Sequence, residues 1–304
     1  MPPRSTLAEI DESQPWSPGA RLGVWGAAAL VLLALVETAQ ALIAPWRAPR
    51  GADWTAAADH IRAGFQTGDL IVAAPAWADP VMRMHLGDLL PVPIAGRMDD
   101  ARFGRVWVVS QRGAHAPEER GRGRASEQRF GALTVQRFEN HPVEITYDFL
   151  EHWQEAYVTV WNPADRSATP CPWQADAFAC PAFGTRVKRQ LVEVDQSIRR
   201  AILAPAVLGA IVAVEFPSVT LGRELAVAAG LHDTWARKSP GSVYLEVWIA
   251  GQLARGAIVG NRSGWSTLHI DTSERYAQTV PVRFQISSPQ PAQRFLAFAA
   301  EARR

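Results

Sequence analysis

The residues able to do chemistry are scattered and do not gather into a recognisable catalytic pattern. The seven histidines (His60, His85, His115, His141, His152, His232 and His269) form no H-E-x-x-H helix, and no G-x-S-x-G elbow is present. The adjacent carboxylates Asp99-Asp100 and Glu118-Glu119 lie in polar stretches, where solvation accounts for them. No cofactor or metal is expected. APAWADP, after the first apolar run of the middle region, lacks a glycine-rich phosphate loop, and two cysteines with no H-x₃₋₅-H pair cannot complete a zinc site. What remains is the chemistry of recognition. His232, Asp233, Trp235 and Arg237 fall in one loop, and Asn261, Arg262 and Trp265 in another. Aromatic faces can stack on a sugar ring while a few polar groups fork hydrogen bonds to its hydroxyls. Trp77 and Asp79 form a second candidate pair. The competing reading is structural in each case: tryptophans in a core, solvated loop polars, and Asp79 capping a helix.

Cys171 and Cys180 are the only cysteines, nine residues apart in CPWQADAFAC, with prolines at Pro170, Pro172 and Pro181. The spacing permits a disulfide in an oxidising compartment. Two free buried thiols are the alternative.

The elements that must position these groups differ along the chain. Leu22 to Ala44 is a single long apolar segment, long enough to cross a bilayer core of roughly 30 Å. Its strongly apolar part ends at Val36, and Ala39-Gln40-Ala41 offers a small-x-small cleavage site. A retained signal anchor, a cleaved signal peptide and a buried core helix are therefore the three readings. The long polar stretch before the segment favours the anchor.

The middle region alternates strands and helices. A helix is expected over Asp53 to Phe65, strands over Leu70 to Ala74 and Arg105 to Gln111, and a second helix over Ala78 to Leu86. Glu118 to Phe130 reads as a helix or loop, Ala132 to Phe138 as a strand, Tyr147 to Ala156 as a helix and Tyr157 to Trp161 as a last strand. The arginine-rich run Arg120 to Arg124 could touch anionic lipid or polysaccharide, but with two glycines it reads first as a flexible exposed loop. This alternation implies a small three-layer α/β domain with a mostly parallel sheet. The segment DWTAAADHIRAGFQTGDLIVAAPAWADPVMRMHLGD, followed by GRVWVVSQ, resembles the soluble region after the last membrane helix of bacterial protein-mannosyltransferase-type glycosyltransferases. The resemblance covers about residues 44–162. It implies kinship with an extracytoplasmic domain of glycan machinery, without the multi-pass portion that carries catalysis in that family.

From about Arg186 the hydrophobic period becomes two, clearest in VYLEVWI and VRFQI. Strands are expected over Val187 to Val194, Arg200 to Leu203, Ala210 to Phe216, Glu224 to Ala229, Ser242 to Ile249, Leu253 to Ile258, Trp265 to Ile270, Val280 to Ile286 and Arg294 to Ala300. Such a set argues for a two-sheet sandwich, a jelly roll. ELAVAAGLHD, SVYLEVWIAGQLA, SGWSTLHIDTS, VPVRFQIS and RFLAFAAEAR resemble the galactose-binding-like jelly roll of carbohydrate-binding modules over about residues 208–303. That resemblance implies sugar sites on loops at one end of the sandwich.

The chain has 304 residues, 31 basic and 30 acidic, with net charge +1 and 48% hydrophobic side chains. This balance excludes wholesale disorder and fits a neutral partner, such as a sugar or a protein, better than nucleic acid. All but two of the basic residues, Lys188 and Lys238, are arginine, a composition bias of GC-rich bacterial coding. The expected fold class is thus α/β plus all-β. It comprises a polar tail (1–21), a transmembrane signal anchor (22–44), an α/β domain (51–163), a disulfide-stapled linker (164–185) and a β-sandwich (186–304). The expected protein lies in the bacterial inner membrane with its bulk periplasmic. It would bind a glycan or glycoconjugate without catalysis, within an envelope complex of polysaccharide or glycoconjugate assembly. A glycan- or glycolipid-acting enzyme with its site near Asp79, and a structural subunit whose sandwich binds protein, are the alternatives.

Overall fold

The apolar N-terminal segment folds as a helix, α1 (Pro18–Arg47). Its stretch Trp25–Ile43 is long and apolar enough to cross a membrane, and none of it is buried against the rest of the chain. A rise of 1.5 Å per residue makes this stretch about 28 Å long. The core-helix reading is overturned, because a core helix would be covered. The computed structural model describes residues 18–180, 184–236, 241–261, 264–289 and 294–304.

A small α/β unit follows. α2 (Gly51–Gly64) buries Trp54, Ala57, Ala58 and Ile61 along one face, as the 3.6-residue spacing predicts. The Asp53 carboxylate accepts the Arg50 N–H at 3.0 Å and closes the first turn. Next come β1 (Asp69–Ala74), α3 (Asp79–Leu86), the single-turn α4 (Val92–Ala95), β2 (Arg105–Gln111), β3 (Arg124–Phe130) and β4 (Leu133–Glu139). The sheet order is β1-β2-β4-β3. Only β1 and β2 are parallel; β2–β4 and β3–β4 are antiparallel, so the expected mostly parallel sheet is corrected. The cause is local. The segment expected to be helix or loop is the strand β3, joined to β4 by the two residues Gly131 and Ala132, and so short a connection can only make an antiparallel hairpin. Gly131 takes φ +56° there, in the left-handed region. β3 is a charged, exposed edge strand, a composition that discourages edge-to-edge pairing. The unit also has two layers instead of three. α2 and α3 cover one face of the sheet through Trp54, Ile61, Met82 and Leu86. The other face is covered by Phe103, Ala114 and Ala116 from loops and by Ile94 of α4.

The rest is a sandwich. Its strands are β5 (Ile145–Asp148), β6 (Tyr157–Asn162), β7 (Ser167–Pro170), β8 (Trp173–Gln174), β9 (Ala177–Cys180), β10 (Thr185–Val194), β11 (Ser197–Ala206) and β12 (Ile211–Thr220). They continue with β13 (Glu224–Leu231), β14 (Ser242–Ile249), β15 (Gln252–Gly260), β16 (Ser266–Asp271), β17 (Thr279–Ser287) and β18 (Arg294–Arg303). One sheet has the order β16-β13-β18-β11-β10-β9-β8, with β5 also paired to β18; the other runs β15-β14-β17-β12-β6-β7. All the strands expected after Arg186 are present. Between the sheets lies a core built on Phe149, Trp153, Phe216, Phe284 and Phe298. The helix expected over Tyr147 to Ala156 is absent. Its i,i+4 pair Phe149 and Trp153 instead enters the sandwich core from the turn after β5 and from a one-turn 3₁₀ helix, Trp153–Glu155. Tyr157 to Trp161 is a strand as expected, but it pairs with β12 and not with the α/β sheet. Its alternation explains this: Val158 and Val160 are buried while Tyr157 is exposed, the pattern of a sheet with one covered face.

Cys171 and Cys180 form a disulfide, with Cα atoms 4.4 Å apart. The Cys171 N–H donates to the Val158 carbonyl of β6 at 2.8 Å, whereas Cys180 ends β9 in the opposite sheet. The bond therefore ties the two sheets together at one edge. For a loop of this length, the chain-entropy estimate is about 2–3 kcal/mol. Replacing both cysteines by serine is expected to lower unfolding free energy by that amount in urea titrations. A loss under 1 kcal/mol would show that the edge holds without the staple.

Candidate functional site

Four of the loop residues expected to bind sugar, His232, Asp233, Asn261 and Trp265, converge at one end of the sandwich, where they hold loops together. The His232 N–H donates to the Phe295 carbonyl at 3.1 Å, and its buried Nδ1 has no hydrogen-bond partner among the described residues. Asp233 opens the single turn α5 (Asp233–Ala236) and accepts the Asp195 N–H, at the β10–β11 turn, at 2.6 Å. Asn261 accepts from the buried Arg294 at 3.1 Å. The indole N–H of Trp265 donates to the Ser197 carbonyl at 3.0 Å, and the Arg199 guanidinium lies 5.1 Å from its ring centroid. Burial holds Arg199 below its usual pKa, and the nearby Arg97 charge adds to this. The side chain of Trp235, and residues Arg237 and Arg262, lie outside the described residues. In the second candidate pair Trp77 is 68% exposed, and Asp79 opens α3 and pairs with Arg83 one turn on. Among the described residues, no cluster of three His, Cys, Asp or Glu side chains could hold a metal.

A different surface gathers aromatic and polar groups more effectively. It is the outer face of the six-stranded sheet, across β6, β12, β17 and β14. Strand register sets three rows there. Tyr157, Glu215, Arg283 and Trp248 stand in line across the four strands; Thr159, Ala213, Gln285 and Glu246 form the next row; Trp161, Ile211, Ser287 and Tyr244 form the third. The alternate residues Val158, Val160, Val212, Val214, Phe216, Val247, Val282 and Phe284 face the core. Two strands thus carry an aromatic at each end of the field, β6 with Tyr157 and Trp161, β14 with Trp248 and Tyr244. Between them, small Ala213 and Thr159 leave a depression of about 590 Å³, lined also by Glu215, Arg283 and Gln285. At about 4.8 Å between strands, the two aromatic walls stand roughly 14 Å apart.

The polar groups of this groove are held in place. Arg283 is paired to Glu215 on the neighbouring strand, and the Trp248 indole N–H donates to Glu246 at 3.1 Å. Tyr157 is 66% exposed, and Arg283 and Glu215 keep partial access to water. A guanidinium has five donors, so pairing to one carboxylate leaves others available. Aromatic walls with a fixed donor–acceptor pair on the floor suit an uncharged ligand that presents both hydroxyls and an apolar C–H face. Sequence reading missed this site. The signal lay in the outward positions of YVTVW, IVAVE, SVYLEVW and VRFQI, but only the strand order shows that they share one face.

No protein-family model matches the chain, and no curated protein matches it. Among solved structures, it is similar to the CBM51-2 and INT domains of Clostridium perfringens ZmpB in complex with GlcNAc, at 14% identity and a TM-score of 0.29. That match covers 49% of this chain and 37% of the other. It is also similar to the CBM51 of C. perfringens GH95 in complex with methyl-galactose, at 8% identity and a TM-score of 0.27, covering 48% and 79%. A third similarity is to the K1 cleaved adhesin domain of Lys-gingipain from Porphyromonas gingivalis W83, at 14% identity and a TM-score of 0.29, covering 43% and 92%. The chain spans between about a fifth and about a third of the ZmpB chains it matches. At this distance the similarities assign no ligand to this chain. The glycosyltransferase resemblance of residues 44–162 draws no support from them.

Proposed function

We propose that this chain is a glycan-binding protein of a bacterial envelope, anchored by α1, with its α/β unit and sandwich on the extracytoplasmic side. It acts as a non-catalytic accessory factor in polysaccharide or glycoconjugate assembly. The single observation that carries the glycan reading is the groove across β6, β12, β17 and β14, where aromatic walls enclose the Glu215–Arg283 pair. The disulfide fits an oxidising compartment, and the uncovered apolar helix fits an anchor.

A glycan array probed with the full chain in neutral detergent tests this reading. Wild type is expected to retain oligosaccharides. Trp248→Ala and Tyr157→Ala should each weaken retention about tenfold or more, the equivalent of roughly 1.4 kcal/mol, with an unchanged melting temperature. Both side chains lie outside the core, so folding is not at stake. Full retention in the double variant would remove the groove from the site. No retention by wild type, with a protein captured on the same face, would replace a sugar by a protein partner.

A further inference from the structure

At its C-terminal end α1 does not stand clear of the folded domain. Val36, Ala39, Gln40 and Ile43, which share one helix face, form one wall of a cleft of about 1160 Å³. The facing wall carries Arg50 before α2, Arg112 just after β2 and Arg129 at the end of β3. All three arginines are exposed, and among the described residues none of them is within ion-pairing distance of a carboxylate. Among the described residues the one carboxylate lining the cleft, Asp53, is committed to backbone donors. Its Oδ2 accepts the Arg50 N–H at 3.0 Å and the Ala132 N–H at 3.4 Å. The cleft therefore has an apolar helical wall that continues toward a bilayer and a cationic wall with unspent charge.

We infer that this cleft binds the phosphate headgroup of an anionic lipid, with the acyl chains lying along the Val36–Ile43 face of α1. The inference rests on the reading of α1 as a membrane span. The end of the span, Val36 to Ile43, then lies toward the bilayer surface and shares the cleft with Arg50, Arg112 and Arg129. Arginine offers planar, forked donors to phosphate, and basic groups beside an anionic surface each contribute favourably to its attraction. A soluble polyanion would match the arginines but would leave the helical wall unused. The lipid can be a bilayer phospholipid or a lipid-linked phosphate carrier, and both present the same chemistry.

The test uses the full chain purified in neutral detergent. Short-chain phosphatidylglycerol, phosphatidylcholine, a polyprenyl phosphate and inorganic phosphate are each titrated, with the melting temperature and tryptophan emission as readouts. The two lipid phosphates are expected to stabilise the protein; the stronger of them names the source. Phosphatidylcholine and inorganic phosphate should have little effect. The triple variant R50Q/R112Q/R129Q should need at least tenfold more anionic lipid for the same shift, with its lipid-free melting temperature unchanged. Equal responses to anionic and neutral lipid, or an unaffected triple variant, would overturn the site. An inorganic phosphate response as strong as the lipid response would overturn the lipid assignment. The mass of the membrane-extracted chain separates this failure from failure of the anchor. A chain shortened by about 40 residues would end both readings, whereas an intact chain without lipid selectivity would end only this one.

Discussion

Asp69→Ala is expected to destabilise the α/β unit by about 3–5 kcal/mol, the range for breaking a buried ion pair by removing one partner. Asp69 is buried at the start of β1, opposite its register partner Arg105 at the start of β2. Arg105 donates two hydrogen bonds to it, at 2.7 and 2.6 Å; the Trp107 indole donates a third at 2.8 Å and the Gln66 N–H a fourth at 3.0 Å. Arg105 also donates to the Gly64 carbonyl at 2.9 Å, so one carboxylate ties the end of α2 to both parallel strands. Alanine would leave a largely buried guanidinium and a buried indole N–H without their acceptor. Burial by itself pushes the Asp69 carboxyl up. The hydrogen bonds from Arg105, Trp107 and Gln66, together with the Arg105 charge, outweigh burial and hold it below the usual carboxylate range. A depressed folded-state pKa contributes stability that is fully present above the unfolded value of roughly 4 and is lost as pH falls through the folded value. The gap between wild type and Asp69→Asn, measured by urea unfolding, should therefore be full at pH 6 and narrow below about pH 4. A gap independent of pH would mean that the charge on Asp69 does not stabilise the fold.

That carboxylate also shows where sequence reading stops. Asp69 reads as the end of a Gly-Asp turn, because its partners are 36 and 38 residues away and become neighbours only when β1 and β2 pair. Local patterns were legible: the face of α2, the alternation of VYLEVWI, the span of α1 and the cysteine pair all follow from spacing within one segment. Pairings between segments were not. β3 carries the charged composition of a loop and is a strand because a two-residue turn folds it onto β4. Phe149 and Trp153 satisfy helical spacing and are used by a turn that fills the sandwich. The groove was hidden for the same reason. Trp248 shares its face with Arg283 and Glu215, which are 35 and 33 residues away, on strands whose order sequence does not specify. Trp265, by contrast, was legible as a loop aromatic, but its indole is committed to Ser197 and its face to Arg199.

Arg303→Met is expected to cost about 3–5 kcal/mol as well, for the same physical reason but at the junction of the two units. Arg303, near the end of β18, donates to Glu301 on its own strand at 2.8 Å and to Asp99 of the α/β unit at 2.8 Å. Glu301 also pairs with Arg102, which in turn donates to Asp148 of β5 at 2.8 Å. Asp99 and Arg102 come from the α/β unit; Asp148, Glu301 and Arg303 come from the sandwich. Beside this network Met98 packs on Ala226, Ala228 and Ala299, an outer face of the sheet kept small enough to admit it. Burial disfavours the charge on Arg303, yet Asp99 and Glu301 more than offset this and raise its pKa. Methionine keeps the packing volume but leaves Glu301 buried with half its partners and Asp99 without Arg303. Removing the buried pair together, as R303M/E301L, should lie closer to wild type than R303M alone, because the buried Glu301 carboxylate is then no longer left with Arg102 as its one partner, while the partly exposed Asp99 loses Arg303 in both. Urea unfolding followed by far-ultraviolet dichroism measures both variants, and an R303M loss below 1 kcal/mol would sink the argument. The groove lies on the opposite sheet from β18. Glycan retention by R303M should therefore match wild type wherever the variant remains folded. A loss of retention without unfolding would mean that the junction, which joins the anchored α/β unit to the sandwich, also shapes the groove.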